Sequence, residues 1–194
     1  MATTPEWILV TLKVIDVLEA LGITYTVCGS VASITHGVAR ATVDTDLLAD
    51  FKLEHSEAFA AALKEEFYID PDSMREAIRQ RTSFNAIHQD TMFKVDIFIT
   101  KARLFDQEQL ARRVQKIIAR NPDRKAWISS AENSVLSKLE WFRLGDEVSE
   151  RQWRDVLGIL KTQRGRLDIE YMRKTASILG IHDLLASALE EAEK

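Results

Sequence analysis

The 194-residue chain has little cysteine, proline or glycine, with one Cys, three Pro and seven Gly. Because Cys28 is the only cysteine, no disulfide can form within the chain, and a zinc site made of several cysteines is excluded. Cys28 lies at the end of an apolar run, so we expect it to be a small buried side chain. The scarcity of proline and glycine, together with 46% hydrophobic residues, indicates an ordered globular protein with a substantial core.

Excess positive charge and long apolar runs are also lacking. The formal net charge of -4 and the isoelectric point near 5.6 argue against a protein that binds nucleic acid by bulk electrostatics. Near the N-terminus, Glu6, Lys13 and Asp16 interrupt the apolar residues, and no basic leader precedes them. We therefore expect neither a signal peptide nor a membrane span, and a cytoplasmic location.

The first half of the chain mixes helical and strand patterns. Apolar periodicity and β-branched content predict a helix over 5–21, strands over 23–29 and 45–51, a helix over 55–67, and a hairpin of strands over 82–88 and 92–99. Residues 105–119 fit either a helix or an exposed strand, and the sequence leaves that choice open.

From about Ser129 the sequence shows helical patterns only. Ser129 with Glu132 and Ser149 with Gln152 each match a capping box, in which a side chain and the backbone at a helix start satisfy each other's hydrogen bonds. Helices are therefore predicted to begin near residues 130 and 150. Two further helices are predicted over residues 168–179 and 182–193.

The change in character defines the predicted organisation of the chain. Residues 121–123 form an Asn-Pro-Asp turn signal, which favours a boundary nearby. We predict an α/β core in residues 1–125 and a helical region in residues 126–194. The fold class is therefore predicted to be α+β, with a mixed β-sheet flanked by helices and followed by a C-terminal helical bundle.

Three aspartates stand in strand patterns, where aspartate is depleted. Asp44 and Asp46 are two residues apart, so their carboxylates point to one face, and Asp96 interrupts the apolar run VDIFI. At about 4 Å and an effective dielectric near 20, two such charges repel by roughly 4 kcal/mol. Converging carboxylates would make a Mg²⁺ site. The alternative is that each faces solvent at a strand edge or caps a turn.

Gly29 and Ser30 follow the first apolar strand. A glycine here lets the backbone approach a ligand closely, and a helix start would direct N–H groups and the Ser30 hydroxyl toward phosphate oxygens. Taken alone, Gly-Ser is also a common way to end a strand. The phosphate-binding interpretation is favoured by the nearby aspartates, because phosphate and a metal ion would then share one cleft.

Together these residues resemble the nucleotidyltransferase superfamily of the polymerase-β type. Its signature is an apolar strand, Gly-Ser or Gly-Gly, a gap of nine to thirteen residues, Asp-x-Asp, and a later strand with a third carboxylate. Here Val27-Cys28-Gly29-Ser30 precedes thirteen residues, then Asp44-Thr45-Asp46-Leu47, and later Val95-Asp96-Ile97. Thr45 departs from the usual apolar residue but is compatible with a strand. The resemblance implies a nucleotidyltransferase fold.

A closer resemblance is to small proteins related to the AbiEii abortive-infection toxins. The block formed by His36-Gly37, Arg40, Thr42 and the Asp44-x-Asp46 pair is similar to theirs. Segments of the helical half, including the one around Lys138, are similar as well. This resemblance implies a toxin–antitoxin or phage-defence component with a possible cognate partner protein.

The resemblance also implies roles for individual residues. Asp44 and Asp46 would hold two Mg²⁺ or Mn²⁺ ions, and Asp96 would bind the catalytic ion and help deprotonate the attacking hydroxyl. Lys138 would contact the triphosphate. Arg40 would reach phosphate, with Gly29 and Ser30 completing the nucleotide site.

For three residues outside the acidic set, a structural or surface role is the alternative to nucleotide contact. Lys138 could be a surface lysine paired with Glu132 or Glu140, and Arg40 a plain surface residue. His36 is more typical of a helix-terminal hydrogen-bonding residue than of a residue that contacts a base.

The predicted function is transfer of a nucleoside monophosphate from an NTP to a hydroxyl or phosphate acceptor. The alternative is a catalytically silent NTP-binding or antitoxin-type module on the same fold. The acceptor, whether tRNA, protein or small molecule, cannot be read from the sequence. One basic cluster is a candidate for RNA contact: Arg112, Arg113, Lys116, Arg120, Arg124 and Lys125.

Overall fold

The computed structural model describes residues 4–39 and 41–194, which form a seven-stranded mixed sheet and nine α-helices. The strands are β1 (Tyr25–Val27), β2 (Asp44–Ala49), β3 (Phe67–Tyr68), β4 (Ser83–His88), β5 (Lys94–Ile99), β6 (Val114–Ala119) and β7 (Arg124–Ile128). Their order across the sheet is β3-β4-β5-β2-β1-β7-β6. The pairs β2–β5 and β1–β7 are parallel, and the other pairs are antiparallel. This mixed sheet confirms the predicted fold class.

The helices are α1 (Glu6–Ala20), α2 (Gly29–Thr35), α3 (Ser56–Leu63), α4 (Pro71–Gln80), α5 (Leu104–Ala111), α6 (Ala131–Leu144), α7 (Glu150–Thr162), α8 (Ile169–Leu179) and α9 (His182–Glu193). A short 3₁₀ turn, Leu53–His55, precedes α3. No helix in the described part of the chain is long and apolar enough to cross a membrane.

One face of the sheet is buried under α1, α3 and α4. Alternation along β2 places Thr45, Leu47 and Ala49 in this core, while Asp44 and Asp46 point to the opposite face. The same core contains apolar residues of α1, α3 and α4. The sheet therefore has one dry face and one face that carries the acidic residues.

The helices α6 to α9 form a second hydrophobic core of their own. The bundle is tied to the segment between α2 and β2. Thr162 Oγ1 and Gln163 Nε2, at the end of α7, both donate to the His36 carbonyl, at 2.7 and 2.9 Å. A Cβ at Gly158 would lie 2.8 Å from Val38, so α7 packs tightly against this segment. The bundle thereby helps to position the connection that leads into Asp44.

Several local predictions are confirmed and others need correction. The ambiguous segment 105–119 contains both predicted alternatives in succession, since α5 is followed by β6. Helix α6 begins with Ser130 as its N-cap, which accepts from the Asn133 N–H at 3.2 Å, so the predicted cap at Ser129 is off by one residue. Ser149 caps α7 as predicted.

Three elements were missed by the sequence patterns. The predicted helix over 55–67 ends at Leu63, and Phe67 belongs to β3. Helix α4 begins at Pro71 after an Asp70 N-cap, a helix-start signal that lies in a polar stretch. Strand β7 follows the predicted turn at residues 121–123 and was not predicted; it pairs with β1 and spans residue 125. The division of the chain at residue 125 stays a prediction.

Candidate active site

The end of β1 and the starts of β2 and β5 meet at one edge of the sheet. Asp46 and Asp96 are directly opposite in the parallel pairing of β2 with β5. Cys28 N–H, immediately after β1, donates to the Asp46 carbonyl at 2.8 Å. The topology thus brings Gly29, Asp46 and Asp96 together, although long stretches of sequence separate them.

Gly29 lies so close to the Asp46 carboxylate that a side chain at this position would force the carboxylate to move. It has φ of +56°, and a Cβ at this position would stand 1.7 Å from Asp46 Oδ2. The Ser30 backbone N–H donates a hydrogen bond to the same carboxylate. Gly29 and Ser30 therefore both contact the Asp46 carboxylate, a role that the phosphate-binding prediction did not include.

The Asp46 carboxylate is electrostatically unfavourable in its ionised form. Burial raises its pKa most, and the nearby charges of Asp44 and Asp96 raise it further. Lys138 and the Ser30 N–H lower it, and the balance leaves the pKa raised to about 6. The repulsion predicted between the aspartates is therefore present and only partly offset by protein groups.

Asp96 is engaged through both of its carboxylate oxygens. Asn85, its cross-strand neighbour on β4, donates from Nδ2 to Oδ1, and Lys94 Nζ lies 3.6 Å from Oδ2. Within residues 4–39 and 41–194, no group of three or more His, Cys, Asp or Glu side chains stands ready to hold a metal ion. The three aspartates share a face without being gathered around one point.

The donor chemistry nevertheless fits a hard divalent cation. Carboxylate oxygens are the ligands that Mg²⁺ and Mn²⁺ prefer, and a nearby cation would relieve the repulsion that raises the pKa of Asp46. Asp44, Asp46 and Asp96 are the residues that would hold such an ion. Their metal and catalytic roles stay predictions.

Lys138 lies in a buried ion pair beside the acidic face. It is 9% exposed, and its Nζ donates to Asp155 Oδ2 of α7 at 2.9 Å. The predicted surface alternative, with Glu132 or Glu140 as partner, is wrong: Glu140 pairs with Arg103 instead. The charge of Lys138 also lowers the pKa of Asp46, so the ammonium acts electrostatically on this carboxylate. The predicted triphosphate contact is compatible with this position and stays a prediction.

The other predicted residues have different outcomes. Arg40 lies outside the described residues. His36 ends α2 as its C-cap and is 5% exposed, so the helix-terminal interpretation is confirmed. Its Nε2–H donates to the Ser129 carbonyl at 2.7 Å, because a carbonyl can only accept. Cys28 is half-buried, and burial raises the pKa of its thiol, which keeps it protonated.

Two residues of this site were missed from the sequence. Asp155 was read with Arg151 as a surface pair on one helix, but it is 4% exposed and binds Lys138. The apolar neighbours Val156 and Ile159 could have placed it on the buried face of α7. Asn85 could have been found from the predicted hairpin, since alternation along β4 puts it on the same face as Asp96.

Acidification should weaken the fold through His36. Burial lowers the pKa of His36 below the 6.5 of an exposed histidine, so the unfolded chain binds a proton more readily than the native protein. The stability that neutral His36 provides is present above pH 6.5 and is lost as pH falls below that value. We expect His36→Gln to reduce the difference in unfolding free energy between pH 7.5 and pH 5.5, measured by urea denaturation. An unchanged difference would contradict this role.

Asp46→Asn should stabilise the metal-free protein at pH 8. The folded pKa of about 6 lies above the unfolded 3.8, so the native protein resists ionisation of Asp46. The free energy of unfolding therefore falls as pH rises from 3.8 through 6. Two pKa units correspond to about 3 kcal/mol, and we expect a gain of about 1–3 kcal/mol.

The gain should disappear near pH 4, where Asp46 is protonated in the native protein. Urea denaturation in EDTA at both pH values measures it. Asp90→Asn, in the exposed β4–β5 turn, is the matched control and should change little. An Asp46→Asn protein that is less stable than the unmutated chain at pH 8 would contradict the strain inferred at this carboxylate.

Solved structures share this arrangement of sheet and helices. The solution structure of the antibiotic-resistance factor ANT(2″)-Ia aligns with a TM-score of 0.54 over 94% of this chain and 94% of that chain. A crystal structure of an antigenic nucleotidyltransferase-like protein from Paracoccidioides brasiliensis aligns with a TM-score of 0.52 over 93% of this chain and 91% of that chain. The chain has the nucleotidyltransferase fold.

The likeness is structural, because sequence identity to both proteins is 15%. ANT(2″)-Ia in complex with adenylyl-2″-tobramycin also aligns with a TM-score of 0.54, over 88% of this chain and 97% of that chain, again at 15% identity. No family model and no curated protein sequence matches the chain. These structures show the fold, and the polymerase-β-type superfamily and the AbiEii-like relationship stay predictions.

Proposed function

We propose that this nucleotidyltransferase-fold protein transfers a nucleoside monophosphate from an NTP to a hydroxyl group, with Mg²⁺ or Mn²⁺ as cofactor. The observation that carries the proposal is the Asp46 carboxylate. Burial and the charges of Asp44 and Asp96 disfavour its ionised form, yet it accepts a hydrogen bond from the Ser30 N–H and lies close against Gly29. A buried, repelled acidic group is a stability cost that a cation-binding site explains and a purely structural role does not.

Each residue of the site would have a defined part in the reaction. The metal ions would supply charge neutralisation for the phosphates and activation of the nucleophile. Lys138 would bind the triphosphate on the β2 side, where its charge already reaches Asp46. Asp96, on the β5 side, would accept the proton of the attacking hydroxyl. The acceptor oxygen would bond to the α-phosphorus while the bond to pyrophosphate breaks.

The acceptor that the surface supports best is a small molecule. Three members of the basic cluster considered for RNA are occupied within the protein: Arg112 pairs with Asp168 at 2.9 Å, Arg124 pairs with Asp16, and Arg113 lies over Trp127. The cluster is carried largely by β6 and β7, at the edge of the sheet remote from Asp96. In one structural neighbour the bound molecule is an adenylylated antibiotic, adenylyl-2″-tobramycin. By analogy we propose a hydroxylated small molecule as acceptor here.

The finer biological roles rest on the sequence resemblance. A toxin–antitoxin or phage-defence role, a cognate antitoxin or toxin partner, and the AbiEii-like relationship are proposals that follow from the block around His36 and Asp44. The silent NTP-binding alternative is not favoured by the neighbours, and all three aspartates are present. Binding of NTP without transfer to any acceptor would revive it.

Incubation with α-labelled NTPs tests the proposed function. Each of the four NTPs is combined with Mg²⁺ or Mn²⁺ and one acceptor class: hydroxylated small molecules including aminoglycosides, total tRNA, or cell lysate protein. We expect label in a small molecule only with the unmutated chain, and none with Asp44→Ala/Asp46→Ala. Asp90→Ala is the control that should keep full activity. Transfer that survives loss of both aspartates would disprove the mechanism, and label in tRNA or protein would replace the proposed acceptor class.

A further inference from the structure

The neighbours of Asp96 lie on the same open face of the sheet as the acidic residues. Lys94 precedes Asp96 by two residues on β5, so their side chains point to one face, and Lys94 is in register with Asp44 of β2. Asn85 is on β4, the next strand outward from β5. Asp96 is thus bracketed by a cation on its own strand and an amide on the neighbouring strand.

These two contacts differ in chemistry and in freedom. The Lys94 side chain is 46% exposed and its ammonium carries a full positive charge, 3.6 Å from Asp96 Oδ2. Asn85 is neutral, short, and fixed by the antiparallel register with Asp96. A flexible lysine can move away when another cation arrives, whereas a short strand amide stays in place.

We propose that Lys94 is a resident counter-cation of Asp96 that a divalent metal must displace, and that Asn85 is a positioning residue that orients the carboxylate for the metal. The inference rests on the proposed function, since it assigns the metal to the three aspartates. Asp96 already contacts Lys94 and Asn85, so a metal ion would have to compete with Lys94 for this carboxylate.

The two residues should change metal affinity in opposite directions. Lys94→Met removes a competing charge, and we expect the affinity for Mn²⁺ without nucleotide to rise on the order of fivefold. Asn85→Ala removes an orienting hydrogen bond without changing charge, and we expect affinity to fall about tenfold. Isothermal titration of the full chain with MnCl₂ measures both effects without reference to activity.

Matched controls separate these contacts from general surface effects. Lys125→Met removes the same charge on β7, and Ser83→Ala truncates a polar side chain two residues before Asn85 on the same face of β4. Neither should change Mn²⁺ affinity by more than about twofold, because Lys125 is separated from β5 by β1 and β2 and its charge is screened by solvent.

A double-mutant cycle with Asp96→Asn decides whether Lys94 acts through Asp96. We expect the gain from Lys94→Met to disappear in the Asp96→Asn background. An equal gain in that background, no gain at all, or an Asn85→Ala protein with unchanged or higher affinity would overturn the proposal while leaving the proposed function in place. If the unmutated chain binds no Mn²⁺, the metal-dependent function fails and this inference fails with it.

Discussion

Gly29→Ala should abolish metal-dependent nucleotide binding and reduce transfer on the order of 100-fold or more. The new Cβ would lie 1.7 Å from Asp46 Oδ2, half the 3.4 Å of an ordinary contact, so the carboxylate must leave its position. Misplacement of a reacting group by about 1 Å is enough for a loss of this size. The positive φ of Gly29 adds a backbone cost of about 1–2 kcal/mol. Mn²⁺–NTP titration and urea denaturation measure the two effects separately.

Gly180→Ala is the matched control for the backbone cost. Gly180 has φ of +70° at the end of α8, and a Cβ there meets nothing within 4 Å. It should lose the same 1–2 kcal/mol while nucleotide binding stays intact. Adding Asp46→Ala to Gly29→Ala should recover the stability lost beyond that amount, because the clashing carboxylate is gone. A Gly29→Ala protein that binds Mn²⁺–NTP normally would rule out the close approach to Asp46.

Lys138→Met should destabilise the protein by about 3–5 kcal/mol, the cost of removing one partner from a buried ion pair. The side chains of Lys138 and Asp155 are 11% and 5% exposed, so solvent screens this ion pair only weakly. The pKa of Asp46 should rise further, because Lys138 is one of the groups that lower it. Urea denaturation at pH 7 measures the loss of stability.

Lys138→Met/Asp155→Leu separates structure from function. Replacing both charges by apolar groups should restore much of the stability, whereas triphosphate binding should stay lost, since it requires the ammonium. Arg75→Met breaks the exposed pair with Asp72, whose side chains are 38% and 92% exposed, and should cost at most about 1 kcal/mol. Normal NTP affinity in the double variant would show that Lys138 serves only the fold.

The sequence by itself determined the elements that carry local signals. Helix α8 ends at Gly180 in the left-handed conformation that the glycine predicts, and the β4–β5 hairpin follows from two alternating runs around a polar turn. The resemblance of Gly29-Ser30, Asp44-x-Asp46 and Asp96 to the signature of a known superfamily predicted the nucleotidyltransferase fold. Capping, alternation and turn chemistry act over a few residues, so they can be read without the fold.

Only the tertiary structure decided how distant residues meet. Strand β7 has no strong strand signature, and it joins the sheet because β1 offers a parallel edge beside it. Asp155 was predicted to be a surface residue, and the structure shows it as the buried partner of Lys138 because α6 and α7 pack against each other. The close approach of Gly29 to Asp46 likewise depends on strand register. Burial and contact across the sheet and between helices are properties of the packed chain, and local sequence patterns do not contain them.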